Sequence, residues 1–74
     1  MKATYRAKLN ALTAMQDGYS YIVIRRSHGT VAVWLDDILN TPNGETVQEY
    51  GEPKAYSMRD NAGMTFRELM NYTE

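Results

Sequence analysis

Residues 2–16 carry a pattern that fits two periods at once. From Lys2 to Ala11 polar and apolar residues alternate, as they do in a half-buried strand. The stretch is nevertheless rich in Ala and almost free of β-branched residues, which favours a helix. Wound at about 100° per residue, Met1, Tyr5, Leu9, Leu12 and Met15 gather on one arc. Lys2, Arg6, Asn10, Thr13 and Asp17 gather on a second, and Ala3, Ala7, Ala11 and Ala14 form a smooth third strip. A helix is therefore expected, stopped by Gly18, with Tyr5 on its core face.

Residues 19–26 and 30–35 are rich in β-formers and are separated by Ser27-His28-Gly29, which reads as a hairpin turn. With His28-Gly29 as the loop, Ser27 opposes Thr30, Ile24 faces Val33 and Ile22 faces Leu35. One face then holds Ile22, Ile24, Val31, Val33 and Leu35, a good core surface. The other holds Tyr19, Tyr21, Val23, Arg25, Ala32 and Trp34.

Beyond Leu35 the pattern weakens. Residues 36–40 fit either a strand extension or a helical turn, and Pro42-Asn43-Gly44 marks a turn. Strands are expected at 45–50 and 55–59, with a turn at Gly51-Glu52-Pro53 between them. The last element is better specified. Thr65 and Glu68 have the spacing of a capping box, and Met64 and Leu69 that of a hydrophobic staple; together with Phe66 and Met70 they predict a short helix, about 65–72, docked by an apolar edge. Together these elements predict a single α+β domain over residues 1–74. It comprises an N-terminal helix, an antiparallel β-meander of about four strands led by the 19–35 hairpin, and a short C-terminal helix.

Composition narrows the picture. Six Tyr stand against one Phe and one Trp, and seven Ala are also among the hydrophobic residues. That leaves only 19 full-sized apolar side chains in 74 residues. Ordering such a chain costs roughly 110 kcal/mol at ~1.5 kcal/mol per residue, so the core must be used efficiently or shared with a partner. Without Cys there is neither a disulfide framework nor a thiolate metal site, and a single His gives zinc too few ligands. No apolar run is long enough for a signal sequence or a membrane span, so a soluble, cytoplasmic protein without a membrane partner is expected.

The near-neutral net charge of −1 hides an asymmetry. Residues 1–35 carry Lys2, Arg6, Lys8, Arg25 and Arg26 against Asp17 alone, whereas residues 36–74 carry three basic residues against eight acidic ones. The sequence pI near 5.7 is far from the basic footprint of a duplex-binding protein.

Catalytic chemistry finds little support. His28 falls in the expected turn, and neither a nucleophile elbow nor a Gly-rich phosphate loop is present. The order Asp36-Asp37…Glu52-Pro53-Lys54 resembles the metal-dependent nuclease signature. However, Pro53 stands where that signature needs a central strand, so these residues read as turn acids and a solvated lysine. The positive signal is the hairpin face. Tyr19, Tyr21, Arg25, Arg26 and Trp34 are the candidate binding residues, of the types enriched at protein interfaces. The sequence therefore predicts a non-catalytic protein-binding module without cofactor or metal. A small inhibitor of the phage or mobile-element kind, acting on a larger protein, is the more specific expectation. The alternatives are single-stranded nucleic-acid binding through the same face, and a structural homodimer.

Overall fold

The structure, a computed structural model, describes residues 1–51 and 63–72. Helix α1 (Tyr5–Gln16) starts at Thr4, whose hydroxyl accepts the Ala7 N–H, and is closed by Asp17 before Gly18. Strands β1 (Tyr21–Arg26) and β2 (Gly29–Trp34) form the hairpin. Helix α2 (Leu35–Asn40) follows directly, so residues 36–40 form helix rather than a strand extension. The chain then passes through β3 (Tyr50–Gly51) and β4 (Gly63–Thr65) into helix α3 (Phe66–Met70). This is an α+β domain with a four-stranded sheet. Among the described residues no helix is long and apolar enough to cross a membrane.

The sheet order is β3-β2-β1-β4. The hairpin and the β2–β3 pair are antiparallel, but β4 runs parallel to β1, which corrects the all-antiparallel meander. Sequence adjacency suggests hairpins by default. Here β3 and β4 occupy opposite edges of the sheet, and β4 leads straight into a helix whose Leu69 enters the core. The expected strand at 45–50 is reduced to Tyr50–Gly51 plus an isolated bridge between Thr46 and Lys2. The expected strand at 55–59 lies outside the described residues.

The hairpin register is also corrected, by two residues. Arg26 pairs with Gly29 and Ile24 with Val31, so the loop is Ser27-His28. Gly29 has φ +128°, a conformation that L side chains rarely adopt, and serves as the first residue of β2. Because side chains alternate with period two, this slip leaves both expected faces intact. Ile22 and Val33 enter the main core with Leu35, while Tyr21, Ala32, Val23 and Trp34 cluster separately.

Helix α1 meets the core with the opposite face to the one expected. Its buried residues are Ala7, Asn10, Ala11 and Ala14, whereas Tyr5 is 69% exposed and Leu9 and Leu12 are 45% and 47% exposed. Small side chains let the helix backbone approach Ile22, Val33, Leu35 and Ile38 closely, and long ones would hold it away. Asn10, assigned above to the polar arc, is also buried, and its amide donates to the Leu69 carbonyl at 2.8 Å.

The C-terminal helix follows its signature. Thr65 Oγ1 accepts the Glu68 N–H at 3.0 Å, and Glu68 Oε1 accepts the Thr65 N–H at 2.8 Å. Met64 and Leu69 are both buried in the main core. Phe66, one residue inside the cap, points outward and is 38% exposed.

Candidate functional site

The five candidate binding residues do not share one open surface. Tyr21 is 2% exposed, with its ring over Gly63 of β4 and edge-on to Trp34, their centroids 5.9 Å apart. Trp34 is half-buried against it, so these two rings form a small core rather than a stacking platform. Tyr19 lies elsewhere, edge-on to Tyr72 at 6.4 Å. The Tyr72 hydroxyl donates to the Asp17 carboxylate, and that hydrogen bond pushes the phenol up to about 12.

Arg25 and Arg26 end β1 and are exposed to solvent. Arg26 Nε donates to Glu49 Oε1 at 3.3 Å, and its Nη2 donates to Oε2. The Met1 ammonium also donates to Glu49 Oε2, at 2.9 Å. The hydrogen bond from Arg26 is the largest cause holding the Glu49 carboxyl at about 2, with the Met1 ammonium assisting against the opposing effect of burial. The network joins the first residue of the chain, the end of β1 and the segment before β3.

Two adjoining grooves open beside Arg25 and Arg26, sharing Ile24 and Phe66. The first, of about 330 Å³, has an apolar floor of Met1, Ala7, Ile24, Phe66 and Met70 and carries Lys2 and Arg26 at its rim. The second, of about 670 Å³, lies over Val23, Ile24 and Phe66 and is edged by Arg25 and Arg67. Lys2, Arg25, Arg67 and the Glu49-paired Arg26 thus surround a partly exposed aromatic ring, and no carboxylate is among the described residues lining either groove. Glu49 pairs with Arg26 and Glu68 accepts the Thr65 N–H, so among the described residues Lys2, Arg25 and Arg67 carry the unpaired positive charge of the rim. For a chain of net charge −1 this is a local concentration of positive charge next to apolar surface.

The sequence picked out Arg25 and Arg26 but missed Lys2, Phe66, Arg67 and Met70. Phe66 and Met70 were read as the apolar edge by which the last helix docks. Their four-residue spacing carries no sign of which apolar residue of a short helix is left outside.

The catalytic candidates do not converge. His28 is exposed at the hairpin tip, and Asp36 and Asp37 lie in the first turn of α2, where acids favour the helix dipole. Glu52, Pro53 and Lys54 lie outside the described residues. Among the described residues no group of three His, Cys, Asp or Glu is placed to hold a metal ion.

No protein family, curated protein or solved structure matches the chain, so its site is read from its own geometry.

Proposed function

We propose that the chain is a non-catalytic protein-binding module that seats an acidic, apolar-anchored segment of a larger protein in the grooves around Phe66. One observation carries this reading. Lys2, Arg25, Arg26 and Arg67 ring an apolar surface with a part-exposed phenylalanine, and the described lining contains no carboxylate. Apolar area supplies affinity in such a site, while complementary charge selects the partner and speeds encounter. Arg and Phe are both interface-enriched residue types, and methionines such as Met1 and Met70 adapt to differently shaped anchors. An accessory role as an inhibitor of a larger protein, of phage or mobile-element kind and acting in the cytoplasm, suits this reading. Its basis is the lack of a catalytic motif in the sequence.

Selection from a random-peptide display library on the immobilised protein tests the reading. Enriched peptides should combine carboxylates with Leu, Phe or other large apolar residues. Arg25→Glu/Arg67→Glu protein should not enrich them. A protein that enriches no acidic peptide, yet binds single-stranded oligonucleotide with steep salt dependence, is a nucleic-acid binder instead.

A further inference from the structure

The geometry points to a second surface, on the far side of α1, that pairs with a second copy of this chain in antiparallel orientation. Tyr5, Leu9, Leu12 and Gln16 form one stripe along the helix, all four exposed. The stripe lies opposite the buried alanines, so it faces away from the Ala7 floor of the groove described above. Exposing its largest apolar side chains while burying alanine inverts the usual amphipathic helix. Leu9 and Leu12 are two of the chain's five leucines, and both are left nearly half exposed beside Tyr5.

The choice of occupant follows from spacing and charge. The stripe residues are separated by four, three and four positions, a pattern that reads the same in either direction. A two-fold-related copy running the other way therefore sets Leu9 against Leu12 and Tyr5 against Gln16 at both ends of the contact. Arg6 and Asp17 lie on the same flank of the stripe, and in antiparallel helix pairs equivalent flanks meet. Arg6 of one copy then approaches Asp17 of the other twice over, and the Asp17 carboxylate keeps its negative charge while accepting the Tyr72 hydroxyl. A parallel pair would set unlike flanks together and bring Arg6 to no Asp17 of the partner. The helix dipoles also oppose favourably in the antiparallel pair.

Shape agrees with this. A depression of about 520 Å³ runs along the Arg6 flank of the stripe, between Leu9, Leu12 and Gln16 on one side and Asn10, Thr13 and Tyr72 on the other, and leaves room there for the flank of a second helix. Size sets the strength. Stable interfaces bury about 800 Å² on each partner, and a helix of 12 residues, roughly 18 Å long, offers less. The dimer is accordingly weak, with a dissociation constant on the order of micromolar. Because the contact uses the face of α1 away from the groove, dimerisation leaves the proposed peptide site open and stands independently of it.

Sedimentation equilibrium over a concentration series, together with cysteine pairing, tests the inference. Wild-type protein should show a monomer–dimer equilibrium that Leu9→Ser/Leu12→Ser shifts at least tenfold toward monomer, with the circular dichroism spectrum unchanged. The chain has no Cys of its own, so single cysteines report orientation directly. Tyr5→Cys mixed with Gln16→Cys should give a disulfide between unlike chains, whereas each variant alone should pair poorly. In the antiparallel dimer two copies of position 5 stand about 16 Å apart along the axis. A wild type that stays monomeric at about millimolar concentration overturns the inference. So does a dimer that survives both serines, or rapid homodisulfide formation by Tyr5→Cys alone.

Discussion

The ring of Tyr21 lies directly over Gly63, its register partner on the parallel strand β4. A Cβ at position 63 would overlap the ring, coming within 2.6 Å of its Cζ. The glycine is therefore what lets the tyrosine lie flat across the sheet edge and bury itself with Ala32, Val23 and Trp34. Gly63→Ala should destabilise the protein by ~1–3 kcal/mol through overpacking. In a Tyr21→Ala background the same substitution should cost far less, and a double-mutant cycle by urea denaturation measures that coupling.

Asn10 ties α1 to the end of α3 through its hydrogen bond to the Leu69 carbonyl. That carbonyl also accepts the Tyr72 N–H at 3.1 Å, so removing the amide does not orphan it. Asn10→Ala is expected to cost about 1 kcal/mol, the net value of one hydrogen bond, rather than the larger penalty of a buried unpaired group. Denaturant midpoints at unchanged slope check this.

Phe66 and Leu69 separate binding from stability. Leu69 is fully buried, and Leu69→Ala should cost ~2–5 kcal/mol. Phe66 is part-exposed, and Phe66→Ala should leave most of the stability intact while abolishing capture of acidic peptides. Thermal unfolding and peptide binding measured on both variants distinguish the two roles.

How much was legible in advance follows from how local each signal is. The Thr65–Glu68 cap joins residues only three positions apart and was readable as a pair of residue types. The two hairpin faces were readable because a slip of two residues preserves them, although the loop itself was placed one residue late. Parallel pairing of β4 with β1 was not readable, because it depends on contacts far apart in sequence. The orientation of α1 was misread for a physical reason. Large apolar residues suggest the buried face, but close approach to the sheet favours Ala7, Ala11 and Ala14. The same error hid the site, since Phe66 looked like core and Tyr21 looked like surface.

Glu49 makes stability pH-dependent. Its folded value of about 2 lies below the ordinary 4.5, so its contribution is present above 4.5 and is lost as pH falls toward 2. Glu49→Gln should therefore be less stable than wild type near neutral pH. The difference should shrink through that acid window, as followed by tryptophan fluorescence of Trp34 in denaturant.

Tyr72 acts at the other end of the scale. A phenol raised from 10.0 to about 12 stabilises the fold fully below 10 and loses that contribution as pH rises through 12. In a spectrophotometric titration of the folded protein, Asp17→Asn should return one tyrosine toward its ordinary value.

The most direct test of the binding account is the affinity of a display-selected acidic peptide for wild type and for Arg25→Glu/Arg67→Glu, by fluorescence anisotropy at low and high salt. The groove reading predicts a loss of tenfold or more, at least ~1.4 kcal/mol, on charge reversal, and weaker wild-type binding as salt rises. Equal affinity for the two proteins at every salt concentration would contradict it.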